Sequence, residues 1–157
     1  MIIQFHKKQD KPHTLRCIRA DGSVTWSTLK TGFDIDHDLT HYAVEKTVPF
    51  NHGFYGLLKS GVNINDWQLP KEERPINLKW NNLPLDARHS EIVVGVFQGT
   101  PNNNEFWDNL TMQLTHFNLP ELPQLTPSVY AAILLKMNEL RTAWRDLEVN
   151  DILELEF

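Results

Sequence analysis

His13-Thr14-Leu15-Arg16-Cys17-Ile18-Arg19-Ala20-Asp21-Gly22-Ser23-Val24-Thr25-Trp26-Ser27-Thr28-Leu29 reads as two β-strands folded about an Asp-Gly turn. β-Branched and aromatic side chains occur in both halves, and Asp-Gly supplies the positive φ angles that a tight hairpin turn requires. The pattern predicts strands over His13 to Ala20 and Val24 to Leu29, so the fold opens on antiparallel sheet. Upstream, Ile2 to Lys8 reads as another strand, separated from the hairpin by a turn at Gln9-Asp10-Lys11-Pro12. At the far end Leu153, Leu155 and Phe157 alternate with Ile152, Glu154 and Glu156, the period of a last strand that returns to the N-terminal sheet.

Downstream of Gly32 the period changes to that of helices. Asp34 or Asp36 is the expected N-cap of a helix running to about Val48 and stopping before Pro49. Shorter apolar periods predict helices over Phe54 to Ser60, Asp86 to Gln98, and from a cap at Asn103 or Asn104 to about Phe117. Thr126-Pro127 starts a long helix in which Val129, Ile133, Met137, Leu140, Trp144 and Leu147 form one apolar face. Val62 to Pro84 has no sustained period and reads as a surface segment held down by Trp67 and Trp80. The expected fold is a single α+β domain, with a small antiparallel sheet of N-terminal hairpin strands plus the C-terminal strand, covered by three to five helices.

The composition narrows the function classes. At 157 residues and 41% hydrophobic content the chain can bury roughly 70% of its unfolded surface. The formal charge is −5, and the densest basic group is Lys7, Lys8 and Lys11, so nucleic acid is not an expected partner. No apolar run approaches the roughly 20 residues needed to span a bilayer, and the N-terminal residues lack the order of a secretory signal. With Cys17 as the single cysteine, the expectation is a cytoplasmic protein with no membrane partner. Its protein partner or small-molecule substrate is not named by these features.

One segment has the spacing of chemistry: His37-Asp38-Leu39-Thr40-His41-Tyr42-Ala43-Val44-Glu45. At about 100° per residue His37, His41 and Glu45 share one helix face within roughly 80°. Two imidazoles a turn apart with a carboxylate suit zinc or iron. The candidate ligands are His37, His41 and Glu45, with His52 or His89 available from elsewhere. Asp38 follows the first histidine where the zinc-hydrolase helix His-Glu-x-x-His has its general base, so Asp38 is the candidate base of a hydrolase, one methylene shorter than Glu. The alternative is a non-catalytic interaction or accessory domain in which the stripe is a structural polar network and Trp67 to Trp80 meets a partner. Asp34, Asp36, Asp38, Thr40 and Glu45 also match calcium-loop spacing, but Leu39 stands where that loop needs glycine. Asn51-His52-Gly53-Phe54-Tyr55-Gly56 opens a helix with free N–H groups that suit an anion, or else makes a tight helix-to-helix turn.

These blocks carry a resemblance. Ala20-Asp21-Gly22-Ser23, the His37 to Glu45 segment, and Gly53-Phe54-Tyr55-Gly56-Leu57-Leu58-Lys59-Ser60-Gly61 resemble a family of small bacterial proteins of uncharacterised function. That family has a His-Asp-Leu-x-His-aromatic-x-Val-Glu block followed by a Gly-aromatic-Gly block. The resemblance brings no activity with it. It implies that the two blocks pack together, which makes His52 a nearer partner of the stripe than His89.

Overall fold

The structure is a computed structural model that describes residues 1–10, 12–99 and 103–157, apart from the side chains of residues 33, 103 and 104. Strands β1 (Ile2–His6), β2 (His13–Ile18), β3 (Val24–Leu29) and β4 (Ile152–Glu156) form one antiparallel sheet in the order β3-β2-β1-β4. Phe5 lies opposite both Leu15 and Leu153, and Ile3 opposite both Cys17 and Leu155. This register puts Ile3, Phe5, Leu15 and Cys17 together on the buried face. The other face is mixed: Arg16 donates to Gln4 and Gln4 to Glu154, while Val24, Trp26 and Ile152 are exposed on it. Strand β2 ends at Ile18 rather than Ala20 because Arg19 closes the turn, pairing its backbone with Ser23 and Gly22. Gly22 adopts φ 82°, as the Asp-Gly reading requires.

Six α-helices lie among the described residues, against three to five expected: α1 (Gly32–Thr47), α2 (Phe54–Lys59), α3 (Ile64–Gln68), α4 (Leu85–Gly99), α5 (Asn103–His116) and α6 (Pro127–Asp146). The addition is α3, which with two 3-10 turns, Ile76–Leu78 and Trp80–Asn82, occupies much of the stretch read as irregular. At five residues α3 is too short to show a period. Its position comes from β3, through Ile64 N–H to Thr25 Oγ1 and Gln68 Nε2 to Ser27 Oγ.

Helix α1 is the hub, packed against α6, α4 and α2 and tied to β4 by the Tyr42 hydroxyl on the Glu156 carbonyl. Its cap is Thr31, not Asp34 or Asp36: Thr31 Oγ1 accepts the Asp34 N–H and the Asp34 carboxylate accepts the Thr31 N–H, a reciprocal capping box. Asp36 instead receives Arg141 of α6 in a two-pronged pair at 2.5 and 2.8 Å. Val48 ends α1, consistent with Pro49 behind it. At α6 the Thr126 cap and Pro127 start are both present. The capping expected of Asn103 or Asn104, and residue 11 of the first turn, lie outside the described residues. No helix among the described residues is long and apolar enough to cross a membrane.

Candidate metal centre

The site grows from one buried imidazole. His41 is fully buried on α1, and its Nδ1 faces Glu45 Oε1 at 3.1 Å and Ser90 Oγ of α4 at 3.3 Å. Glu45, one turn along, is also buried, and its charge is met by donors. Oε1 accepts the Phe54 N–H at 2.8 Å and the Ser90 hydroxyl at 2.9 Å, while Oε2 accepts the Tyr55 N–H at 3.0 Å. These are unsatisfied amides of the first turn of α2, where helix geometry favours an anion. A Cβ on Gly53 would collide with the Glu45 carboxylate, so glycine is what admits it. Gly56 plays the same part toward the Asn51 carbonyl. The anion-ready turn of the sequence reading therefore receives an internal anion, and that anion is Glu45.

The other edge of His41 is bare. Nε2 is buried and has no hydrogen-bond partner among the described residues. Glu91 Oε1 of α4 stands 3.7 Å away, too far for a hydrogen bond. The His37 ring lies 4.7 Å from the His41 ring, centroid to centroid. One ligand atom from each of His37, His41 and Glu91 lies within 4.8 Å of the others. Donors about 2.0–2.2 Å from a tetrahedral ion are about 3.3–3.5 Å apart, so the His41–Glu91 gap fits an ion with little adjustment. Both rings are backed by carboxylates at Nδ1, His41 by Glu45 and His37 by Asp38 at 3.2 Å. A carboxylate behind an imidazole fixes the tautomer and raises the basicity of the opposite nitrogen. Burial opposes a charged His41, but Glu91, Glu45 and Asp38 outweigh it and raise its pKa to about 8. The pocket around this ring therefore favours positive charge.

The residues expected from sequence are thus divided. His37 and His41 are brought together. Glu45 faces away from the cluster, fully engaged by α2 and Ser90. Asp38 sits beside His37 Nδ1 with its side chain only 14% exposed. His52 is 61% exposed and lies 3.6 Å from Asp86, outside the cluster. His89 donates from Nε2 to the Pro120 carbonyl, also outside it. Glu91 is the member that sequence reasoning missed, because only the packing of α4 on α1 brings it near. The available signal was Ser90-Glu91, a polar pair amid Ala87, Ile92, Val93 and Val94, all buried. Ser90, His41 and Glu45 also have the composition of a hydrolase triad, but Ser90 and Glu45 share the same Nδ1 and Ser90 is fully buried, so that geometry is not met. The calcium spacing is dispersed likewise, with Asp34 in the cap and Asp36 on Arg141.

A cleft of about 760 Å³ opens over the cluster, with His37 and Glu91 in its lining. Phe54, Trp67, Trp80 and Phe117 form its aromatic walls. Phe54 links the cleft to the site, with ring centroids 5.2 Å from His41 and 6.0 Å from Trp67. Trp80 packs at a tilt against Phe117, with ring centroids 4.9 Å apart. The two tryptophans that the alternative, accessory-domain reading sets against a partner line this concavity.

Fold and site together define an α+β protein with one buried and one partly exposed histidine and a carboxylate at an aromatic cleft. No family model, no curated protein and no solved structure matches the chain.

Proposed function

We propose that this protein binds a divalent transition metal, zinc or iron, through His37, His41 Nε2 and Glu91. The observation that carries the reading is the buried His41 Nε2, without a hydrogen-bond partner among the described residues and facing Glu91 Oε1 across 3.7 Å. An orphaned buried nitrogen is costly, and a cation between the two groups removes that cost. Glu45 and Asp38 become the orienting carboxylates in this assignment, and His52 has no part in it. Two histidines and one carboxylate leave coordination positions for water and substrate, the pattern of catalytic rather than closed structural sites. A metal so held polarises a carbonyl or phosphoryl oxygen and acidifies water, so hydrolysis of a molecule bound in the cleft is the reaction class we favour.

The same polar network also fastens α1, α2 and α4 together through Glu45, which supports a structural role for that half of the stripe. The two roles separate experimentally. Purified protein supplied anaerobically with zinc or ferrous iron is expected to take up about one equivalent per chain, measured by elemental analysis and titration calorimetry. Glu45→Gln should weaken uptake by the about 10–100-fold typical of an orienting partner, and Glu91→Ala by more. Because the Glu91 side chain is 32% exposed, its variant should keep its fold, checked by circular dichroism. Wild-type protein that stays metal-free, or a folded Glu91→Ala that binds as tightly as wild type, would overturn the assignment.

A further inference from the structure

The cleft over the cluster has a second property, its charge. The chain as a whole carries −5, yet Lys71, Arg74 and Lys79 all line this one concavity. Glu91 is the acidic residue of the lining, and the metal assignment uses it. The three cations come from the segment between the two wall tryptophans, so basic charge is placed beside aromatic surface. Backbone carbonyls hold two of them: Arg74 Nε donates to Leu69 at 3.0 Å and Lys79 Nζ to Glu72 at 3.2 Å. Arg74 uses one of five guanidinium N–H groups in that contact. Trp67, one of the wall residues, has in Nε1 a buried donor with no partner among the described residues. The volume lies within the range of about 300–1,000 Å³ typical of small-molecule sites, and apolar walls with a few polar groups are the usual composition of such sites.

We infer that the cleft takes an amphipathic organic anion, with its flat or acyl apolar body between Trp67 and Trp80 and its carboxylate or phosphate at Lys71, Arg74 and Lys79. As the substrate class of the metal site this rests on the metal assignment, since the body then lies beside His37 and Glu91. As a binding property it stands on the cleft alone. Aromatic walls bind the body through area and stacking, and the cations add selectivity for charge. A small hydrophilic anion lacks the body, and a neutral aromatic lacks the charge.

Matched probes test the inference on the full chain. 1-Naphthaleneacetate and 1-naphthyl phosphate carry both features, 1-naphthaleneacetamide lacks the charge, and acetate lacks the apolar body. Tryptophan fluorescence and calorimetry should show the naphthyl anions binding about tenfold tighter than the amide, the size of one charge-assisted contact, with acetate weakest. The double substitution Lys71→Gln with Lys79→Gln alters two exposed side chains and leaves Arg74 in place, so it should weaken the preference for the anions several-fold, with amide binding changed less than anion binding. Equal binding of acid and amide, or a preference undiminished by the double substitution, would overturn the inference. Running each titration on metal-free and zinc-supplied protein separates the two readings. Anion selectivity without zinc uptake defeats the metal assignment alone, and zinc uptake without anion selectivity defeats this inference alone.

Discussion

Glu45 and Gly53 are closely coupled, and each explains the other. A carboxylate buried without donors would be severely unfavourable, and Glu45 escapes that penalty because α2 begins against it with two free amides. Those amides come close enough only because residue 53 has no side chain. Its φ of −66° is available to any residue, so the requirement is steric and not conformational. Gly53→Ala is therefore expected to lower stability by about 1–3 kcal/mol in urea or thermal unfolding, the range for overpacking a filled site. Gly95 provides the contrast. It is helical, and an added Cβ there meets nothing within 4 Å. Gly95→Ala should raise stability by about 0.5–1 kcal/mol through helix propensity. Equal effects at the two positions would mean that the Glu45 carboxylate does not occupy the place described.

At the level of elements, the ends of helices are where sequence reading and structure diverge. The Thr31 capping box is a local signal written in Thr31 and Asp34, and the competing aspartates at 34 and 36 masked it. The far end of α6 is different, because its partner is remote in sequence. Lys7, read as part of a basic cluster, donates from Nζ to the carbonyls of Trp144, Arg145 and Leu147 and lies 5.6 Å from the centre of the Trp144 ring. A cation on the last carbonyls of a helix satisfies acceptors that have no intrahelical donor and opposes the negative end of the helix dipole. Lys7→Met, which keeps much of the aliphatic stem, should cost about 1 kcal/mol of stability. Lys8→Met is the control, and a loss as large as that at Lys7 would remove the special role given to the cap. Helix α3 shows the same limit from another side, since its place depends on Thr25 and Ser27 of β3 and not on its own five residues.

Over the whole molecule, the sheet is closed by its two ends in sequence, with β1 paired to β4 as well as to β2. Cys17 reports on that closure. It is fully buried at the centre of the inner face, and burial, helped by the field of Asp38, pushes its thiol up to about 12. Alkylation at neutral pH is expected to proceed only through global opening, slowly in native buffer and at the rate of a free thiol in denaturant, as followed by mass spectrometry. Rapid labelling of the folded protein would show that the sheet and its helical cover open locally. The α+β class, the hairpin, the last strand and the long helices were legible in the sequence, because turn chemistry and apolar period act within a few residues. The histidine pair was legible for the same reason, being one helical turn apart on a single element. The replacement of Glu45 by Glu91 in the cluster, the seating of Glu45 on α2, and the joining of basic and aromatic residues into one cleft were decided only by tertiary structure. The first two depend on how α1, α2 and α4 pack and the third on how the segment from Trp67 to Trp80 folds over them, and a helical period says which face turns inward without saying which residue of another element it will meet.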